Sequence, residues 1–294
     1  MHKALLMQLQ VCRKCETICS PIAQITAMFW PLCYAITRGN TRSEVQFRFG
    51  ATTIAVNIPN RTALLAAVGQ RFAANQGFAL ATINLDHLVK LQASPTFREI
   101  YAAQDFVVAD GNPIVWLSRL ANRPVDLVPG SDMVLPLVQL AVQLNRRVAL
   151  IGTTDAALAA AAADLQARIP GLKDALSIAP PMGFDPQGPE ARIILSQLAA
   201  ANIGFCVIAL PAGKQEAIAA LGRKLAPPTG FASFGAGLDF LAGSQTRAPQ
   251  WMRSIAMEWL WRALSDPRRM LPRYAACFAI IPGQIAAAVK LRGA

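Results

Sequence analysis

Residues 51–245 are predicted to form a doubly wound, mostly parallel α/β sheet, and residues 246–294 a helical, basic appendage. Three observations predict this. Short, continuous apolar runs alternate with segments of helical period. The runs are separated by about one helix each, as parallel strands require for their crossovers. Hydrophobic residues make up 54% of the 294 positions and charged residues 15%. That composition buries a large core and is too poor in charge for a disordered chain.

The elements follow in order. Thr62–Asn75 reads as an amphipathic helix and Phe78–Ile83 as a buried strand. Ser94 is an N-cap and Pro95 a first helical residue, opening a helix to Ala103. Phe106–Ala109 is a short strand, Pro113–Leu120 a helix, and Ser131–Asn145 a helix with Asp132 in its first turn. Arg147–Ile151 and Ile203–Leu210 are apolar strands, and Phe231–Phe234 is a short one. Thr154–Arg168, Pro189–Ala201 and Lys214–Leu225 are the intervening helices. Trp251–Leu264 and Pro267–Val289 read as helices rich in Arg and Trp. Pro282-Gly283 is expected to interrupt the second, leaving its apolar part too short to span a bilayer.

Charge is unevenly placed. The net charge is +11, of which residues 1–50 carry +4, residues 51–246 +1 and residues 247–294 +6. The middle is a near-neutral globular domain. The termini meet something acidic: a lipid surface, a phosphorylated substrate or nucleic acid. Arginine and tryptophan on amphipathic helices fit an anionic membrane surface best. Nucleic acid is set aside because the arginines cluster on apolar, Trp-rich helices. Residues 1–50 are expected to be an extension that touches membrane or is disordered. Thr17–Thr37 is free of charge, but Pro21, Gln24, Thr26 and Pro31 weaken it as a span. Cys12, Cys15 and Cys19 offer three thiolates, yet no second Cys-x-x-Cys follows and the histidines are only His2 and His87. No metal site is expected, and the thiols are read as reduced.

In open α/β sheets ligands bind beyond the carboxyl ends of the strands. Those ends offer Thr82-Ile83-Asn84, Asp110-Gly111-Asn112, Gly152-Thr153-Thr154 and Pro211-Ala212-Gly213-Lys214-Gln215-Glu216. Asp110 follows an apolar run, so it stands partly desolvated at the crevice mouth. That suits a general base, and position alone fits a cap for the Pro113 helix equally well. Lys214-Gln215-Glu216 opens a helix, where backbone N–H groups and a lysine attract an anion; a surface charge cluster is the alternative. His87 reads as a packing residue. There is no Asp-x-Asp, no G-x-G-x-x-G after the first strand, no P-loop and no Gly-x-Ser-x-Gly.

The run Phe234-Gly235-Ala236-Gly237-Leu238-Asp239-Phe240-Leu241-Ala242-Gly243 is followed by Arg247-Ala248-Pro249-Gln250-Trp251-Met252. Glu258-Trp259-Leu260-Trp261-Arg262, Asp266-Pro267-Arg268-Arg269 and Arg273-Tyr274 come next. Thr82-x-Asn84, Asp110-Gly111, Pro129-Gly130-Ser131-Asp132 and Lys214-Gln215-Glu216 precede them in order. Together these resemble the WecG/TagA/CpsF glycosyltransferases over about residues 52–275. The resemblance implies a Rossmann-like fold whose helical appendage docks on membrane and completes the site. It implies an inverting, metal-independent transfer of a sugar from a UDP-sugar to a polyprenyl-diphosphate-linked saccharide, in bacterial cell-surface polysaccharide synthesis at the cytoplasmic face of the inner membrane. No cofactor is implied, and a homo-oligomer is left open.

By the same resemblance Asp110 is the catalytic base. Thr82, Asn84, Gly111, Asp132, Lys214, Gln215, Glu216 and Asp239 bind substrate. Arg247, Arg262 and Arg268 neutralise the leaving UDP or the lipid diphosphate, as guanidinium groups suit. Two positions depart from the pattern. Leu127 stands where many members carry arginine, with Arg123 of the same loop as a candidate replacement, and Gly213 stands where members usually have proline. The departures leave a second reading: a weak or inactive nucleotide-sugar-binding assembly subunit.

Overall fold

The computed structural model describes residues 44–152, 154–243, 248–249, 251–252 and 257–293. The expectations for residues 1–43, the clustered cysteines among them, lie outside these residues. Residues 44–294 form one compact unit. Strands β1 (Val45–Phe49) and β2 (Thr52–Val56) pair antiparallel, with Val45, Phe47, Phe49, Ile54 and Val56 buried on one face. The expected boundary at residue 50 therefore falls inside a hairpin.

Helix α1 (Arg61–Ala73) starts at Asn60, whose side chain accepts from the Ala63 N–H. Strand β3 (Phe78–Ile83) is buried at every residue. Helix α2 (Leu85–Ala93) follows, stopped by Ser94-Pro95, since the residue before proline is driven out of the helical region. Helix α3 (Pro95–Ala102), strand β4 (Phe106–Ala109), helix α4 (Asn112–Leu120) and helix α5 (Gly130–Gln143) come next. Then β5 (Arg147–Gly152), α6 (Asp155–Arg168), the three-residue β6 (Leu176–Ile178), α7 (Pro189–Ala200) and β7 (Ile203–Ala209) follow. Helix α8 (Lys214–Leu225), β8 (Gly230–Ser233) and α9 (Gly237–Leu241) complete the α/β body. Helices α10 (Glu258–Ser265) and α11 (Pro267–Arg292) form the appendage.

Six strands make one sheet in the order β4-β3-β8-β7-β5-β6, with every pairing parallel. The expected doubly wound α/β fold is what forms. Alternate residues of each strand feed opposite faces. Leu80 points into a core with α1, α5 and α6, whereas Ala79 and Ala81 face α7, α8 and the hairpin side. Phe72, Phe78, Phe106 and Phe205 pack as tilted and edge-on rings at 5.5–6.2 Å under α1. Helices α1, α4, α5 and α7 each end on an asparagine with positive φ: Asn75, Asn122, Asn145 and Asn202. Asparagine tolerates the left-handed region and lets the following N–H close the helix end, as in Arg123 N–H to Ser118 O at 2.9 Å.

Helix α11 differs from expectation. It runs for 26 residues through Pro272 and Pro282, about 39 Å at 1.5 Å per residue. The carbonyl that Pro282 leaves unbonded belongs to Phe278, an exposed residue, so water satisfies it and the helix continues. By length and composition α11 is apolar enough to cross a membrane. Its Met270, Cys277 and Ala288 are nevertheless buried, and Ile280 and Leu291 pack on the hairpin-side core. Arg123 fastens this end of the appendage, donating to Leu291 O at 3.4 Å and to Glu44 O at 3.1 Å. Arg123, the candidate replacement for the missing pocket arginine, lies past the C-terminal end of α4.

Arg123→Gln is expected to speed amide exchange together in the first residues of β1 and the last turn of α11, read by hydrogen-exchange mass spectrometry. Unchanged exchange in both segments would contradict this tie.

Candidate active site

The site grows from the tips of parallel strands. Buried Val107, Val108 and Ala109 of β4 deliver Asp110, half-buried, to the sheet edge. Its N–H donates to Ile83 O at 2.8 Å, locking the β4 tip to β3. Burial pushes the Asp110 carboxyl above its ordinary range; neighbouring His87, Arg262 and Thr82 pull it back, Glu258 pushes it up, and burial prevails. The helix-cap alternative does not hold, because α4 is capped at Gly111 without a side-chain hydrogen bond.

Asn84 stands beside this tip. Its Oδ1 accepts from the His87 N–H at 3.2 Å and caps α2. A Cβ on Gly111 would lie 3.5 Å from Asn84 Cβ, so the two expected pocket residues are neighbours. The Pro129-Gly130 turn closes over β3 and β8. A Cβ on Gly130 would meet Phe234 Cδ1 at 2.8 Å and Thr82 Cγ2 at 3.1 Å, so only glycine lets α5 start this close. Asp132 follows, half-buried in the first turn of α5. Asp239 is half-buried in the first turn of α9.

Beyond β7 the chain turns through Gly213, whose φ of +100° lies in the region that favours glycine. Proline cannot adopt it and has no N–H. Here that N–H donates to Glu216 Oε2 at 2.6 Å, so the Gly213 departure changes what Glu216 binds. Glu216 has no exposed surface. Its Oε1 accepts from Gln215 Nε2 at 2.8 Å and lies 3.4 Å from His87 Nε2. Burial raises its carboxyl, but His87, Gln215 and the Gly213 N–H together hold it below its ordinary range. Gln215 is buried, and its Oε1 accepts from the Gly235 N–H at 2.8 Å. Glu216 and Gln215 are thus enclosed and engaged with each other and with the Gly213 and Gly235 N–H groups. Lys214 is half-buried, and its Nζ donates to Phe184 O at 2.7 Å.

The appendage reaches the same place. Arg262 of α10 pairs with Glu258 at 2.6 Å, lies over the Phe240 ring at 5.8 Å, and its charge acts on Asp110. Arg268 is exposed in the first turn of α11. Arg247 lies outside the described residues. Leu127, where arginine was expected, is exposed, and the next residue, Val128, bonds Ala109 O beside the β4 tip. Among the described residues no three His, Cys, Asp or Glu side chains converge as metal ligands would. An open groove of about 380 Å³ between α3 and α8, lined in part by Glu99, Arg192 and Lys224, lies away from the strand tips.

The profile of the Glycosyl transferase WecG/TagA/CpsF family matches residues 51–292. The chain belongs to this family. It is a glycosyltransferase, built on the Rossmann-like sheet described above. Two bacterial relatives, from Bacillus spizizenii strain W23 and Bacillus subtilis strain 168, are each named N-acetylglucosaminyldiphosphoundecaprenol N-acetyl-beta-D-mannosaminyltransferase. Each is 26% identical to the glycosyltransferase over 68% of this chain and 78% of its own length.

Sequence reasoning passed over Tyr101, read His87 as a packing residue and named Arg273 only within the family run. Tyr101 is fully buried, and its hydroxyl donates to Thr82 O at 2.7 Å, setting the height of the β3 tip. His87 stands among Phe97, Tyr101 and Glu216. Arg273 of α11 holds Asp86 of α2 through two contacts of 2.9 and 3.0 Å, with Lys90 at 2.7 Å on the same carboxylate. Burial raises the Asp86 carboxyl, but Lys90 and Arg273 outweigh it and hold the group below its ordinary value. A carboxylate depressed on folding contributes stability above its unfolded value, about 3.9. That stability is lost as pH falls through the folded value. Arg273→Gln is therefore expected to cost roughly 1–3 kcal/mol near pH 7. Urea titrations should show the gap to the parent protein shrinking below about pH 4. A gap that persists undiminished in acid would refute the ion pair as its source.

Proposed function

We propose that the enzyme transfers a sugar, with inversion and without a metal, from a UDP-sugar to a polyprenyl-diphosphate-linked saccharide in cell-surface polysaccharide synthesis. The relatives' names supply the closest chemistry: an N-acetylmannosaminyl donor group and an N-acetylglucosaminyldiphosphoundecaprenol acceptor. One observation carries the reading: Asp110 stands half-buried at the β4 tip, its N–H locked to Ile83 O at 2.8 Å, with Gly111 against Asn84 and burial raising its carboxyl. The acceptor hydroxyl attacks the anomeric carbon from the face opposite UDP. Asp110 takes the hydroxyl proton as the new C–O bond forms. The bond from the anomeric carbon to the UDP oxygen breaks, and UDP leaves with the electron pair. Arginines of the appendage, Arg262 among them, offset the charge that grows on the diphosphate.

The surface of the appendage supports the lipid-linked acceptor and a seat on the cytoplasmic face of the inner membrane. Trp251, Trp259, Leu264, Leu271, Phe278, Ile285 and Val289 are exposed, and Arg268 and Arg269 border them. Leu271, Phe278 and Ile285 recur every seventh residue and so share one stripe of α11. Trp259 packs edge-on against Tyr274 and Phe278 at about 6 Å, extending that stripe onto α10. The opposite side of α11 docks on α2 and α4. A helix held flat against its own domain lies in the interface rather than across it.

With UDP-N-acetylmannosamine and a synthetic GlcNAc-diphosphate lipid, Asp110→Asn is expected to lower UDP release by roughly 10²–10⁴-fold. Full activity in that variant would falsify the base assignment. Replacing Leu271, Phe278 and Ile285 together with serine is expected to abolish flotation with anionic vesicles while the protein remains folded. Undiminished flotation would move the membrane contact elsewhere.

A further inference from the structure

Two arginines of the appendage grip the α/β body just after neighbouring strands. Arg273 of α11 meets Asp86 of α2 as a fork, Nε to Oδ1 at 2.9 Å and Nη2 to Oδ2 at 3.0 Å. Asp86 lies in the first turn of α2, two residues past the cap Asn84, and so just beyond β3. Arg262 of α10 lies over the Phe240 ring at 5.8 Å, and Glu258 steadies its guanidinium at 2.6 Å. Phe240 belongs to α9, the helix that follows β8. β3 and β8 are paired in the sheet.

The two grips are joined through the appendage itself. Helix α10 runs into α11 at Asp266, whose Oδ1 accepts from the Arg269 N–H at 3.3 Å. Trp259 of α10 packs edge-on at 6.0 Å against Tyr274, the residue after Arg273. Met270 and Cys277, one turn before and after Arg273, are buried on the same face of α11. Apolar contact is non-directional and lets a helix slide. A planar guanidinium on a carboxylate fixes both distance and direction. The fork is therefore what sets the register of α11 on α2.

We infer that Arg273 is a positioning residue for the transfer reaction: its fork on Asp86 fixes the appendage against α2 and so holds α10, and Arg262 with it, in register with the strand tips. The inference rests on the reading of Arg262 as a group that offsets charge on the departing diphosphate. The turn that receives Arg273 also carries Asn84, against which Gly111 of the β4 tip is set. One contact thus aligns the appendage with the strand end that bears Asp110. Lys90 supplies a built-in comparison. It reaches the same carboxylate at 2.7 Å from within α2, so it shares the charge of Arg273 but ties no second element to the first. A pair that served stability alone would treat the two cations alike.

The test is UDP release by the full chain at neutral pH, with UDP-N-acetylmannosamine and the GlcNAc-diphosphate lipid, and with the folded fraction of each variant fixed by circular dichroism. Arg273→Gln is expected to lower kcat/KM roughly 10–100-fold, as a misplacement of about 1 Å does. Lys90→Gln should stay within about threefold of the parent, as loss of an exposed pair within one helix does. In an Arg262→Gln background, adding Arg273→Gln should cost less than about threefold more, because residues acting as a unit are not additive. Arg273→Gln within threefold of the parent, an equal drop in both backgrounds, or a matching drop in Lys90→Gln would each overturn the inference. If Arg273→Gln does not fold, Arg273→Lys, which keeps the charge and gives up the fork, decides by the same criteria. Hydrogen exchange with UDP reads the link without turnover: slowing across α10 in the parent and not in Arg273→Gln supports it, and equal slowing in both overturns it. Arg262→Gln assayed alone separates the two claims. Full activity there defeats the reading of Arg262, whereas its loss with an undiminished Arg273 effect in that background defeats the positioning role only.

Discussion

Keeping a carboxylate charged where water is largely excluded is the constraint around which the strand tips of this enzyme are arranged. Asp110 stands half-buried at the β4 tip and Glu216 is wholly enclosed, and a buried charge left alone is destabilising. The parallel sheet answers by bringing the tips of β4, β3, β8 and β7 side by side. Gly213 and Gln215 reach Glu216 from the start of a helix, and His87 Nε2 stands 3.4 Å from the same carboxylate. Tyr101 and Gly130 contribute nothing chemical, but they set how near these tips approach.

The appendage extends the same arrangement outward. One side of α11 is fastened by Asp86 with Arg273 and by Arg123, and the other presents an apolar stripe. Asp86 sits in the first turn of α2, between the cap Asn84 and His87. Whatever surface seats α11 is thus coupled mechanically to the two residues flanking that turn.

Much of this was legible from the sequence because strands buried on both faces leave continuous apolar runs. Phe78–Ile83 and Ile203–Ala209 are such runs, and the Asp-Gly after Phe106–Ala109 reads directly as a strand tip. The caps at Ser94 and Thr154 were equally readable. The hairpin was missed although Val45, Phe47 and Phe49 alternate, because its strands straddle the point where the family pattern begins. β6 is too short to carry a period. At the site, residue types were readable but directions were not. Whether Gln215 and Glu216 face solvent or the protein interior depends on the φ of Gly213 and on a histidine far away in the chain. The Arg273–Asp86 contact joins residues 187 positions apart, which no local pattern encodes.

The most direct measurement is a crystal structure of the enzyme with UDP and the acceptor sugar bound together. The account predicts an acceptor hydroxyl within about 3 Å of the Asp110 carboxylate, with the diphosphate on the appendage side of the crevice near Arg262. Sugars seated away from the β4 and β3 tips, with Asp110 touching neither, would contradict it.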